Sequence, residues 1–128
     1  MVPEPRSADQ ELTTPGWLTA GGHMSLRVLR PGRHTVHVRV TGEVDLSTAR
    51  RLDEVLQSRI RSQIEEIVVD LSGVTFFSVA GLNSLLRAQL LADAAGVRLT
   101  VDPGRSRAVR RLFALLPTGF DGVVNAVG

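Results

Sequence analysis

From Met24 onward the apolar and polar positions fall into regular runs. Val36, Val38 and Val40 alternate with His37, Arg39 and Thr41, so His34 to Thr41 reads as a strand with one apolar face. A second short run, SLRVLR from Ser25 to Arg30, precedes it across Pro31-Gly32. This predicts a hairpin with a type II turn, because proline presets the first φ and glycine supplies the positive second one. The strand closes in GEVD, Gly42 to Asp45.

The period then changes. Ala49, Leu52, Val55, Leu56 and Ile60 recur at helical spacing, with Asp45 or Ser47 available as a cap. Ile67 to Leu71 (IVVDL) is a continuous run of the kind found in strands covered on both faces, and Ser72-Gly73 is expected to break it. Val79 to Ala95 is rich in leucine and alanine and stops at Gly96, a residue suited to a left-handed helix end. Val97, Leu99 and Val101 alternate with polar residues as a further strand closed by Pro103-Gly104. Ala108, Val109, Leu112, Phe113, Leu115 and Leu116 form the apolar stripe of a last helix. The predicted class is α/β, in the order β-β-α-β-α-β-α, with a mixed sheet of about four strands and right-handed parallel crossovers. Residues 1–24, with three prolines, a Gly21-Gly22 pair and no sustained period, read as a mobile arm before a single domain spanning 25–128. Within that arm Trp17 is either a solvent-exposed tail residue or an aromatic anchor.

Length and composition narrow the function classes. A chain of 128 residues holds one packed core, and 43% hydrophobic with 22% charged residues is ordinary for a globular protein. No apolar run approaches the roughly 20 residues of a membrane span, and the first residues lack the pattern of a secretory leader. A cytoplasmic location without membrane insertion is expected. With no cysteine, disulfides and thiolate chemistry are excluded. The isoelectric point of about 10.9 suggests nucleic acid, yet the formal charge is only +2. All 15 basic residues are arginines, so a small positive balance persists to high pH. Without interleaved aromatics or a recognisable motif, the arginines around the last helix (Arg105, Arg107, Arg110, Arg111) read as a solvated face or an acidic-partner footprint rather than a nucleic-acid site.

Catalytic constellations are not apparent. His23, His34 and His37 are too few for a metal site, and the odd spacing of the last two sends them to opposite faces of a strand. There is no GxSxG elbow, GxxxxGK[ST] loop or GxGxxG loop. A non-enzymatic protein without cofactors is expected. Attention therefore falls on FFSVAGL, Phe76 to Leu82, where a strand hands over to a helix. Ser78 can cap that helix, a contribution of about 1 kcal/mol. Gly81, which costs up to about 1 kcal/mol relative to alanine inside a helix, implies a close neighbour there, either the first helix or a partner.

GEVD, VVDLSGVTFFSVAGL and AAGVRLTV together resemble the STAS domain of bacterial anti-sigma factor antagonists, from about residue 25 to the C-terminus. In that family the junction reads approximately F-x-D-S-[ST]-G-L, and the serine after the aspartate is phosphorylated by a partner that is both anti-sigma factor and serine kinase, with an ATPase-type domain. The unphosphorylated antagonist binds that partner and frees the sigma factor; phosphorylation releases it. On this chain Phe76 takes the phenylalanine, Ser78 the aspartate, Val79 the phosphorylated serine, Ala80 the second hydroxyl residue, and Gly81 with Leu82 the closing pair. Gly42, Glu43, Val44 and Asp45 match the family's G-E-[LV]-D loop, which contributes to the partner surface.

The resemblance implies a partner-binding face made of Glu43, Asp45, Ser78, Val79, Ala80, Gly81, Asn83 and Arg87, with Leu91 on the same side of the helix. It also implies loss of the phosphorylation switch, since valine accepts no phosphate. Ser78, one position early, is either a replacement acceptor or a plain hydroxyl cap. Two other roles remain open: a STAS subunit of a transporter or lipid-trafficking complex, and a nucleotide or small-ligand sensor using the helix N-terminus as an anion site.

Overall fold

The computed structural model describes residues 9–13 and 23–115, with side chains from residue 23 onward. Five strands form one sheet in the order β1-β2-β3-β4-β5. They are β1 (Asp9–Thr13), β2 (Met24–Leu29), β3 (Thr35–Val44), β4 (Glu66–Phe77) and β5 (Arg98–Asp102). The helices are α1 (Leu46–Ile60), α2 (Val79–Ala95) and α3 (Arg107–Phe113). β1, β2 and β3 pair antiparallel, whereas β3, β4 and β5 run parallel through the crossovers made by α1 and α2. The β-β-α-β-α-β-α order from β2 onward is the one the periodicity predicts.

Four features differ from the sequence reading. Asp9–Thr13 lies inside the stretch expected to be a mobile arm, yet it pairs with β2, with Leu12 opposite Leu26. Five residues carry too little pattern to announce a strand; the unpaired edge of β2 supplies the reason for one. Trp17 lies outside the described residues. The β2–β3 connection is not a two-residue type II turn, because Leu29 pairs with His37 and Gly32 does not take a positive φ. β4 is not broken at Ser72-Gly73 but continues to Phe77, its register against β3 shifting between Arg39 and Thr41 and again between Gly42 and Glu43. Such irregularities bend a strand and re-aim its side chains without ending it. The last helix ends at Phe113, leaving Leu115 exposed, while Leu116 lies outside the described residues.

One face of the sheet makes the core. Met24, Leu26 and Val28 of β2, Val36, Val38 and Val40 of β3, Ile67, Val69 and Leu71 of β4, and Leu99 and Val101 of β5 are buried. Against them pack Leu52, Val55, Leu56 and Ile60 of α1 and Leu82, Leu85, Ala88 and Ala92 of α2. Each fully buried aliphatic side chain contributes about 1.5–3 kcal/mol relative to exposure. The alternate positions are polar or partly exposed, so IVVDL is fully covered on one face only, with Val68 and Asp70 half-buried. Among the described residues no helix is long and apolar enough to cross a membrane.

On the polar face, burial of the Asp70 carboxyl works against its charge. It is outweighed by donations from the Ser72 hydroxyl (2.7 Å) and N–H (2.9 Å) and by the Arg39 guanidinium at 3.4 Å. These hold the Asp70 carboxyl below the usual carboxylate range. Because the folded-state value is depressed, the stabilisation is full above the unfolded value of about 3.9 and is lost as pH falls through the folded one. Asp70→Asn should therefore lower the urea midpoint at neutral pH and lose less stability on acidification than the wild type. Parallel loss in both proteins would contradict this.

Candidate functional site

β3 and β4 are parallel neighbours that finish side by side, with Glu43 opposite Phe76 and Val44 opposite Phe77. Each strand is followed at once by a helix. Asp45 caps α1, accepting from the Thr48 N–H at 3.0 Å, while the Thr48 hydroxyl accepts from the Asp45 N–H at 2.9 Å. That reciprocal pair satisfies two backbone donors at the helix start. Ser78 caps α2, its hydroxyl accepting from the Gly81 N–H at 3.4 Å. The two junctions are tied to each other: the Ser78 N–H donates to the Val44 carbonyl at 2.9 Å, and the Thr75 hydroxyl to the Gly42 carbonyl at 3.2 Å.

Two glycines make this closeness possible. Gly42 has φ +91°, and a Cβ there would lie 2.3 Å from the His23 carbonyl oxygen. The Glu43 N–H donates to that same oxygen at 2.9 Å, so GEVD, expected as a loop, is instead the end of β3 and the cap of α1, fixed against the start of β2. At Gly81 a Cβ would meet Val44 Cγ1 at 2.7 Å and Phe77 Cε1 at 2.8 Å. The close neighbour of Gly81 is thus neither α1 nor a partner; it is the pair of strand ends beneath α2.

The residues expected to form a partner face divide accordingly. Val79, at the first position of α2, is 61% exposed. Asn83 and Arg87 are exposed further along the same helix. Glu43 and Ser78 are half-buried, and Ala80 is half-buried against the core. Gly81 is buried and is therefore removed from the partner face. Asp45 is half-buried with its carboxylate engaged in the cap, so its clearest role is to start α1. Leu91 is half-buried and packs on the core; Leu90 is the exposed leucine, at 71%.

Two exposed apolar residues are left out of the expected partner face. Leu46, the first residue of α1, is 83% exposed, and Phe76 is 50% exposed. Leu46 stands three residues before Ala49, so helical spacing alone points it inward. It is exposed because it belongs to the opening turn of α1, at the mouth of the junction. Phe76 differs from buried Phe77 by a single step of strand alternation, a signal available from the sequence only if β4 is known to run through Gly73.

Between α1 and α2 lies a groove of about 580 Å³. Leu46, Arg50 and Asp53 line it from α1, and Ala80, Asn83 and Arg87 from α2. Arg87 Nε lies 3.1 Å from Asp53 Oδ1. Deeper, the buried Ser84 hydroxyl donates to the Ala49 carbonyl at 3.2 Å, joining the two helices. Among the described residues no three His, Asp or Glu side chains gather in a way that could hold a metal ion. The arrangement offers exposed apolar side chains at two adjoining helix starts beside a partly charged groove.

Residues 28–125 match the family model described as Mlab, STAS domain. The chain belongs to the STAS domain family. Its fold is similar to a solved anti-sigma factor antagonist from Mycobacterium paratuberculosis, with 26% identity, a TM-score of 0.68, and coverage of 80% of this chain and 84% of that one. It is also similar to the anti-sigma factor antagonist SpoIIAA in its unphosphorylated form, at 18% identity and TM-score 0.67, covering 80% and 88% of the two chains. The Bacillus cell fate determinant SpoIIAA in its phosphorylated form matches at 17% identity and TM-score 0.63, over 80% and 91%. Those last two likenesses concern the fold alone. No curated protein matches the sequence. In this STAS domain the junction of β3 and β4 carries the GEVD and FFSVAGL segments that first suggested the family.

The caps and the tight glycine are expected to act through stability. Asp45→Ala should cost about 1 kcal/mol, read as a lower urea midpoint. Gly81→Ala gains helix propensity but forces Val44 and Phe77 apart; a net loss of about 1–2 kcal/mol is expected. An unchanged midpoint for Gly81→Ala would mean that α2 does not press on the strand ends.

Proposed function

We propose that this STAS domain is a non-enzymatic binding module that docks on an anti-sigma factor with serine kinase activity, sequestering it in the manner of an anti-sigma factor antagonist. The observation that carries this reading is the exposure of Val79 at the first position of α2, next to the GEVD segment and flanked by exposed Leu46 and Phe76. Apolar side chains grouped at two adjoining strand–helix junctions favour a protein-facing role. The solved antagonist with 26% identity supports the same role.

The same position argues that association here is not ended in the usual way. Phosphate on a docking surface adds about −1.5 to −2 charges and opposes an apolar contact by desolvation and repulsion. Val79 has no hydroxyl to accept it. Ser78 is a poor substitute, because its half-buried oxygen accepts from the Gly81 N–H and so serves the helix start. Binding is then governed by the amount of partner and of this chain rather than by transfer of phosphate to the junction.

Two measurements test the reading. Val79→Glu should weaken binding to the host's ATPase-domain anti-sigma factor at least about tenfold, while leaving the urea midpoint within about 0.5 kcal/mol of wild type. Unchanged affinity would remove the junction from the contact face. Incubation of the complex with ATP should leave the mass of this chain unchanged; a phosphorylated junction peptide accompanied by release would restore the switch. Recovery of membrane ATPase components instead of an anti-sigma factor, in affinity capture from host extract, would move the chain to the transporter-subunit role.

A further inference from the structure

Charge in the groove between α1 and α2 is unevenly satisfied. Arg87 is answered from within the chain: its Nε lies 3.1 Å from Asp53 Oδ1 and its Nη2 donates to the Ser84 hydroxyl at 3.4 Å. Asp53 is further held by the Gln57 side-chain amide at 2.8 Å. Arg50 on the opposite wall is exposed and has no ion pair among the described residues. Its neighbour Arg51 differs, standing 3.6 Å from Glu54 on another side of α1. Counting Arg50 and Arg87 against Asp53 leaves the lining with one net positive charge.

The surroundings specify what would complement that charge. α2 has no acidic residue in its first turn and a neutral cap in Ser78, so the positive end of its dipole adds to the field at this end of the groove, whereas the Asp45 carboxylate offsets that of α1. Ala49 and Ala80 leave room for an incoming side chain, and Leu46 offers an apolar shelf beside it. The lining holds no aromatic ring on which a base could stack and no glycine-rich backbone cradle. A multiply charged phosphate would also face the Asp53 carboxylate, whereas a single carboxylate matches the single excess charge.

We propose that this groove receives an acidic segment of the protein partner, with a partner carboxylate pairing with Arg50 and an adjacent apolar side chain lying against Leu46 and Ala80. The inference rests on the anti-sigma factor reading and extends it by naming the charge of the contact. Arg50 and Leu46 then form one continuous surface with Val79, and the Arg87–Asp53 pair is a fixed wall that orients the incoming segment.

Binding of the purified host anti-sigma factor to the wild type and to four variants tests it. Arg50→Glu should weaken binding about tenfold and Arg50→Gln about threefold, with a shallower salt dependence than wild type. Arg51→Glu, outside the groove, should bind as wild type does. An acidic-to-arginine change in the partner that restores binding to Arg50→Glu identifies the paired carboxylate. If Val79→Glu weakens binding but Arg50→Glu does not, the groove inference is overturned while the docking face stands. If the wild type fails to bind the anti-sigma factor at all, the functional reading fails and the groove inference falls with it.

Discussion

The parallel pairing of the last residues of β3 and β4 is the constraint on which the rest depends. Val44 and Phe77 end their strands opposite each other, and the Ser78 N–H closes onto the Val44 carbonyl at 2.9 Å. Because both strands pass into helices without intervening loops, this one register places the caps of α1 and α2 side by side. Gly81 sets the depth of that contact, since any side chain there would push α2 away from Val44 and Phe77. Had β4 slipped by one residue in its register, strand alternation would exchange the buried and exposed phenylalanines. The junction therefore combines a closely packed, hydrogen-bonded base with an outward apolar rim.

Conserving that geometry explains why polar groups at the junction are mostly engaged in structure. Asp45, Thr48 and Ser78 satisfy backbone donors at helix starts, and the Thr48 hydroxyl also reaches the Glu43 carbonyl at 2.9 Å. The groups left exposed around it are different in kind: Leu46, Phe76 and Val79 are apolar, Asn83 is a neutral amide, and Arg50 is a cation with no ion pair among the described residues. In protein interfaces generally, apolar area at the centre supplies binding energy, while charges govern orientation and discrimination among partners. Val79 fits this division, because at the first position of α2 it presents apolar area rather than a hydroxyl.

Much of this architecture was legible from periodicity. The alternation of Val36, Val38 and Val40, the helical spacing from Ala49 to Ile60, and the stop at Gly96, whose φ is +73°, each correspond to observed elements. The exceptions share a cause. Asp9–Thr13 becomes a strand because β2 has an edge to pair with; β4 survives Gly73 because β3 runs beside it, with a Cβ at Gly73 only 2.7 Å from Thr41 Cγ2. Likewise Leu46 breaks the helical rule through its place in the opening turn, and Leu90 rather than Leu91 faces outward because seven residues, not eight, come closest to two full turns from exposed Asn83.

By itself, the sequence determined which segments could be strand or helix, that the chain has no thiol chemistry, and that position 79 carries no phosphate acceptor. These are properties of residue type and local spacing, so neighbours along the chain suffice to define them. Only the tertiary structure decided that Gly81 is a packing residue, that Asp45 is chiefly a cap, and that Arg50 and Arg87 face one groove with a single internal carboxylate between them. Those depend on strand register and on the approach of α1 to α2, distances across the fold that no local pattern encodes.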